Sequence, residues 1–320
     1  MKKDKILVIG SLGQIGTELT LALRELYGNG SVIASDIHEG NGRVAGTGPY
    51  VSLDVMDRAK LHSLVAEHHI TQVYLLAAVL SATGEQNPGL AWQVNMQGLL
   101  NVLEIAKIEK LHKVYWPSSI AVFGPTSPKQ DCPQQTIIEP LTVYGISKYA
   151  GECWCNYYYQ QYGVDVRSLR YPGLVSYSSA PGGGTTDYAV DIFYHAVQEK
   201  KYNCFLSEDT ILPMMYMPDA IRAAIELMEA PKQKISVRHS YNISALSFYP
   251  AELAAAIQKY IPGFEITYQP DYRQAIADSW PASIDDSVAR RDWGWKPRYD
   301  LDRMTEDMIK NVTINDLTCQ

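Results

Sequence analysis

The sequence predicts an α/β fold: a doubly wound parallel sheet with a smaller mixed α/β lobe. Three observations predict it. Near-continuous apolar runs of strand length alternate with helical patterns through the first half of the 320 residues. A glycine triplet joins the first such run to the first helix. After Pro172 the alternation gives way to a glycine-rich stretch and short mixed elements with many Pro and Trp. Strands that are apolar on both faces and separated by helices belong to a parallel sheet covered on both sides.

The elements follow in order. KILVIG (5–10) is the first strand, and a helical pattern runs over 14–27. SVIASD (31–36) and YVSLDV (50–55) are the next strands, followed by a helix over 57–69. QVYLLAA (72–78) precedes a long helix over 88–110. KVYWPSS (113–119) precedes the helix that carries YGISK, and DVRSLRYP (165–172) closes the series. SYSSAPGGGTTDYAV (176–190) is a glycine-rich loop. ILPMMYMPDAIRAAIELME (211–229) reads as a strand and a helix with Asp219 at its N-cap. A first domain is expected over 1–175, with 206–235 returning to it. The stretches 176–205 and 236–320 are expected to form the smaller lobe over the sheet's carboxyl edge.

Composition narrows the function. A net charge of −7 argues against a nucleic-acid or anionic-membrane surface. No apolar run reaches the ~18 residues of a membrane span. The opening MKKDKILVIGSLGQIG runs straight into the glycine pattern, so it reads as a strand and not as a signal peptide. Five cysteines (Cys132, Cys153, Cys155, Cys204 and Cys319), without CxxC pairs, argue against a disulfide framework or a zinc site and fit the cytoplasm. The pair His68–His69 has no partner at metal spacing, and no metal is expected.

In GSLGQIG, Gly10 allows a tight turn, Gly13 lets the backbone approach a pyrophosphate, and Gly16 lets helix and strand pack closely. The helix N-terminus adds amide donors and a positive dipole end. Asp36 stands twenty positions after Gly16, at the end of the second strand. A carboxylate there accepts hydrogen bonds from the adenosine ribose and repels a 2′-phosphate, and no Arg or Lys follows in SDIHEG, so NAD is favoured over NADP. Asp54 could contact the adenine or cap the following helix. Small Ala77 and Ala78 leave room for a cofactor backbone.

Tyr144 and Lys148 are four residues apart, on one face of a helix. A tyrosine with pKa near ~10 must drop ~3 units, or ~4 kcal/mol, to act as a base at neutral pH. A Lys charge at ~6 Å with effective dielectric ~20 supplies ~3 kcal/mol. An oxidised nicotinamide adds positive charge. The spacing therefore has a chemical purpose: Lys148 can hold Tyr144 as a phenolate. Ser119, at a preceding strand end, could polarise a substrate oxygen.

With GSLGQIG, Asp36, LDV, LAA, Asn95, PSSIAVFG, YGISK and RYPG in place, the chain resembles the short-chain dehydrogenase/reductase superfamily, extended branch, over essentially its whole length. The resemblance implies a Rossmann domain. IGSLGQIGTEL, PGGGTTDYAV and DSWPASIDDSVARRDWGW are similar to stretches of the short-chain, UDP-galactose 4-epimerase-like L-threonine 3-dehydrogenases. That family oxidises the threonine β-hydroxyl with NAD, giving 2-amino-3-oxobutyrate and NADH. The resemblance implies that Ser119, Tyr144 and Lys148 carry catalysis. It places Gly10, Gly13, Gln14, Ile15, Gly16, Asp36, Asp54, Val55, Leu76, Ala77, Ala78, Asn95, Lys148, Tyr171 and Pro172 at NAD. It offers Ser81, Ser119, Tyr144, Gly184, Thr185, Thr186 and Trp280 for the amino acid. The glycines Gly182 to Gly184 are expected to hinge a lid.

Two other readings compete. A nucleotide-sugar epimerase or dehydratase of the same fold would grip a diphosphate with arginines, and Arg238, Arg273, Arg290 and Arg291 are available. A non-catalytic NAD-sensing regulator would not need Ser119, Tyr144 and Lys148 together. The resemblance further implies a homodimer, because helices near 88–110 and 142–162 pair across a two-fold axis in this branch. CWCNYYYQQY is richer in aromatic residues than one core face requires.

Overall fold

The computed structural model describes residues 4–40, 42–178 and 184–318. Along the chain it forms β1 (Ile6–Ile9), α1 (Gln14–Tyr27), β2 (Val32–Asp36), α2 (Gly42–Ala45), β3 (Tyr50–Ser52), α3 (Arg58–Glu67) and β4 (Gln72–Leu75). There follow α4 (Ser81–Gln86), α5 (Pro88–Ile108), β5 (Lys113–Tyr115), β6 (Ser118–Ser119) and α6 (Val143–Tyr162). Next are β7 (Val166–Arg167), β8 (Leu169–Tyr171), β9 (Gly173–Val175), α7 (Tyr188–Gln198), β10 (Lys201–Cys204), β11 (Leu212–Tyr216) and α8 (Met217–Glu229). The chain ends with β12 (Tyr241–Asn242), β13 (Leu246–Phe248), α9 (Pro250–Gln258), β14 (Glu265–Tyr268), α10 (Arg273–Ser279), α11 (Ser287–Trp293) and α12 (Leu301–Thr318).

Six parallel strands form the main sheet in the order β3-β2-β1-β4-β5-β7. This is the expected doubly wound, Rossmann-like sheet. The order reverses between β1 and β4, and in such sheets the ligand crevice lies outside the strand ends at that point. Apolar side chains cover both faces. Ile6, Val8 and Val32 pack with Leu19 of α1 and with Ala220, Ala224 and Leu227 of α8. Leu7, Ile9 and Ile33 pack with Leu61 of α3 and with Leu99 and Val102 of α5.

Two expected strands are each divided. KVYWPSS breaks at Trp116–Pro117, where proline removes a ladder donor, into β5 of the main sheet and β6 outside it. DVRSLRYP breaks at Ser168 into β7, beside β5, and β8, which pairs with β6 and β12. The two runs leave the sheet together, with Ser118 opposite Arg170 and Ser119 opposite Tyr171.

A further core joins Tyr188, Ile192 and Phe193 of α7 to Leu253 and Ile257 of α9 and Met304 and Met308 of α12, and it also takes Val175 and the β11 residues Leu212, Met214 and Tyr216. Part of the stretch 236–320 packs elsewhere. Tyr241, Ile243, Ala289 and Trp295 join Ile6 and Val8 in the first core.

Candidate active site

The glycine turn is built by exclusion. Gly10 has φ +86°, and a Cβ there would run into the Leu76–Ala77 backbone. A Cβ on Gly16 would collide with the Gly10 carbonyl. On Gly13 the nearest atom would be Gly10 O at 3.6 Å, so that side is free for a ligand backbone. Gly13 caps α1 without a side-chain hydrogen bond, which leaves the first-turn amides and the positive end of the helix for an anion. At the end of β2 the buried Asp36 carboxylate is fixed by Leu12 N at 3.1 Å and His38 N at 3.3 Å. A tight turn, an uncapped helix and an oriented carboxylate fit the pyrophosphate and ribose of a dinucleotide.

A cavity of about 500 Å³ opens at this edge. Of the residues expected in the site, Gly10, Gly13, Gln14, Ile15, Gly16, Leu76, Ala78, Ser81, Ser119, Tyr144, Lys148, Tyr171, Pro172, Gly184, Thr185, Thr186 and Trp280 line it. The Thr142 hydroxyl starts α6 by accepting from Gly145 N at 3.0 Å. The helix then carries Tyr144 and Lys148 to the cavity. Ser119 ends β6, and its Oγ accepts from Ala121 N at 3.2 Å.

Five expected cofactor residues stand elsewhere. Asp36 lies beyond the cavity lining. Ala77 sits behind Gly10. Asp54 is exposed, and its carboxylate accepts from Met56 N at 2.9 Å in the turn before Asp57 caps α3. Val55 is buried against Gly98. Asn95 uses its whole amide internally: Oδ1 accepts from Val79 N at 2.8 Å, and Nδ2 donates to Val79 O at 3.0 Å and Ser147 Oγ at 3.1 Å. It ties the loop after β4 to α6. Gly182 and Gly183 of the expected hinge lie outside the described residues.

In the free protein, burial dominates the electrostatics of the pair. Burial pushes the Tyr144 phenol up to about 12, against a hydrogen bond from Ser119. Burial also pulls the Lys148 ammonium down to about 7, with Cys155 and Glu152 opposing. Lys148 Nζ donates to Pro117 O at 2.7 Å and lies 5.5 Å from the Tyr144 ring centroid. Desolvation disfavours both charged forms and, in lowering the lysine, weakens the charge that was to depress the phenol.

Several residues in or behind the site carry no local sequence signal. Asp187 brings a carboxylate to the lining, and its Oδ2 accepts from Gly184 N at 2.6 Å. Gly173 makes room for Thr186, since a Cβ there would lie 2.7 Å from the Thr186 Cβ. Trp280 is held from behind: Lys129 Nζ donates to Trp280 O at 3.1 Å and to Asp278 O at 2.6 Å. Backbone pairing of Lys129 with Ala282, and of Cys132 with Ser283 and Asp285, continues this strap.

Among the described lining residues Lys148 is the single cation and Asp187 the single carboxylate. The four arginines that a diphosphate would need are paired away from the cavity. Arg238 binds Asp165, Arg273 binds Asp271, Arg290 binds Asp286, and Arg291 binds Asp292.

Comparison with known proteins agrees with this architecture. The model of the NAD dependent epimerase/dehydratase family matches residues 6–244. An uncharacterized epimerase/dehydratase of Staphylococcus haemolyticus is 50% identical over 311 residues, 97% of this chain and 98% of the relative. The holo form of a GalE-like L-threonine dehydrogenase from Cupriavidus necator is 60% identical with TM-score 0.94, over 96% of this chain and 99% of that one. A monomeric L-threonine 3-dehydrogenase from a metagenome is 49% identical with TM-score 0.93, over 97% and 99%.

Proposed function

The chain belongs to the NAD dependent epimerase/dehydratase family and uses NAD, and from that premise we propose that it is an L-threonine 3-dehydrogenase. The observation that carries the reading is the charge inventory of the cavity. A zwitterion needs one anion partner and placed donors, whereas a nucleoside diphosphate needs guanidinium groups. The described lining offers Asp187 for an ammonium, the hydroxyls of Thr185, Thr186 and Ser81, and no arginine.

In this reading Thr186, Thr185 and Gly184 orient the amino acid under Trp280. Ser119 Oγ and Tyr144 Oη converge on its 3-hydroxyl. NAD, when bound, would supply the hydride acceptor and the positive charge of its oxidised ring. Tyr144 Oη takes the hydroxyl proton as the C3 hydride leaves, giving 2-amino-3-oxobutyrate, NADH and a proton. Because burial keeps the free phenol protonated, positive charge from Lys148 in its ammonium form must act before Tyr144 serves as base. Trp280 and its strap exclude water, which strengthens every charge inside.

NADH absorbance with a panel of L-amino acids and UDP-sugars tests the reading. Threonine-dependent NADH formation is expected. Conversion of a UDP-sugar without threonine-dependent NADH would replace it with the epimerase reading.

The reading extends to a cytoplasmic homodimer. The packed helices α5 and α6 leave Leu90, Trp92, Ile146, Tyr149, Trp154 and Tyr157 exposed, an apolar and aromatic face suited to a second copy. The monomeric relative makes the point worth measuring. A monomer mass by light scattering at micromolar concentration would remove this part.

A further inference from the structure

Glu152 stands outside every role assigned so far. It is wholly buried on α6, one turn beyond Lys148 and two beyond Tyr144, so the three share a helix face. Its Oε1 accepts from Ser118 Oγ at 2.6 Å and from Arg170 Nε at 2.9 Å. Its Oε2 accepts from Arg170 Nη2 at 2.7 Å. Ser118 and Arg170 are register partners across β6 and β8, and the next pair along is Ser119 and Tyr171, both at the cavity. One carboxylate therefore grips both strands a single residue from the site. Arg170 is itself locked, with Nη1 donating to Asn242 Oδ1 at 3.0 Å and the guanidinium lying over the Phe123 ring.

A buried ion pair is weak evidence for stability, because desolvation offsets much of the attraction and apolar residues of similar volume often serve the fold as well. Its location calls for another reason. We propose that Glu152 is a positioning residue for catalysis: anchored on Arg170, it sets the strand of Ser119 against the helix of Tyr144 and stands behind the Lys148 ammonium as its buried counter-charge. The inference rests on the reading of Ser119, Tyr144 and Lys148 as catalytic groups, but not on the identity of the substrate.

The groups facing this pair fix the direction of the effect. Lys148 meets Glu152 and Cys155 on its own helix, Tyr144 a turn earlier, and the Trp116 ring and Pro117 carbonyl from the strand end. Glu152 faces Tyr149, Cys153 and Cys155 on its own helix, Arg170 from β8, Ser118 from β6, and His239. Removing the Glu152 charge leaves burial to lower Lys148 further, and leaves Arg170 as an uncompensated cation of the same effect. The lost carboxylate and the bared Arg170 act on the phenol in the opposite sense, but from two turns away; Lys148, 5.5 Å from the Tyr144 ring, sets the sign, so less ammonium means that Tyr144 ionises at higher pH.

The test uses the NAD-loaded full chain and four variants. In Glu152→Gln, kcat with L-threonine is expected to fall about tenfold or more, with little change in NAD affinity. The pH midpoint of kcat should move up by about one unit. The same upward move should appear in phenolate difference absorbance taken against Tyr144→Phe. That titration needs no substrate, so a wild type inert toward threonine would defeat the substrate reading and leave this inference still testable. Glu152→Gln strands a buried guanidinium, so the double variant Glu152→Gln/Arg170→Gln separates fold from site. Recovered thermal stability with a persistent loss in kcat and a persistent pH shift supports positioning. Recovered stability with wild-type kcat and midpoint overturns it. Glu152→Asp keeps the charge and shortens the reach: a wild-type midpoint with lowered kcat is expected. If neither glutamine variant folds, an unchanged kcat in Glu152→Asp overturns the proposal.

Discussion

Arg167 and Arg170 stand three residues apart on one run of chain, and both are buried. Arg167 belongs to β7 at the far end of the sheet. Its Nη1 donates to the carbonyls of Leu227, Met228 and Ala230, at 2.7, 3.0 and 2.6 Å, which closes the C-terminus of α8. Its charge is met by Asp165, which also receives Arg238. Arg170 belongs to β8, after the strand has left the sheet, and its charge goes to Glu152, on the helix that carries Tyr144 and Lys148. The first arginine answers a need of the backbone, since helix ends leave carbonyls without donors. The second is tied to a side chain beside the cavity. Burial and pairing are alike in the two cases, so neither property by itself distinguishes framework from site; what each group is tied to does.

That contrast can be broken at either end. The largest effect is expected at the site. Tyr144→Phe should lower kcat ~10²–10⁴-fold while NAD still binds and the melting temperature holds. The pH dependence carries a sign. The free phenol is raised to about 12 by burial, so the wild-type rate should climb with pH as the loaded enzyme ionises Tyr144, with the climb lying below that value. The phenylalanine variant should lack the climb. A variant within a few-fold of wild type would mean that another group takes the proton.

At the far end, Arg167→Met removes a donor from the Leu227, Met228 and Ala230 carbonyls at the end of α8 and leaves Asp165 to Arg238 alone. A loss of ~3–5 kcal/mol in denaturant unfolding is expected, with kcat of the folded protein unchanged. A variant that keeps its stability and loses turnover would reverse the assignment of the two arginines.

Asp36 sharpens the comparison, being a buried carboxylate held by two backbone amides and not by a guanidinium. Asp36→Ala should weaken NAD about tenfold, ~1.4 kcal/mol, and relax discrimination against NADP, with little change in stability. Unchanged discrimination between the two cofactors would remove Asp36 from the ribose site.

Legibility followed the range of the interactions. The glycine triplet could be read because two of its constraints are local, the positive φ of Gly10 and the approach of Gly16 to the Gly10 carbonyl. Tyr144 and Lys148 could be read because helix periodicity fixes their relation. The break of DVRSLRYP at Ser168 could not, since an apolar run looks the same whether it continues one sheet or passes to another. Glu152, Asp187 and Lys129 were hidden for a related reason. Their partners lie far along the chain or across a turn whose shape no periodicity dictates, as with Glu152 to Ser118 and Lys129 to Trp280. The burial of the phenol and the ammonium was hidden because sequence gives spacing but not solvent exclusion.

The way the chain revisits its two cores bears on how the molecule can come apart. The core under β1 gathers Ile6, then Met217–Ala230 side chains, then Tyr241 and Ile243, and finally Trp295, while the core of α7, α9 and α12 takes the intervening stretches and Met304 and Met308. The polypeptide is thus stitched back and forth, and no single cut divides it into two pieces that each keep a complete interior. Truncation from either terminus withdraws residues from a core built by the opposite end. Unfolding should therefore run as one cooperative event in calorimetry, and a protease nick in an exposed connection should leave two fragments that stay together until both cores open.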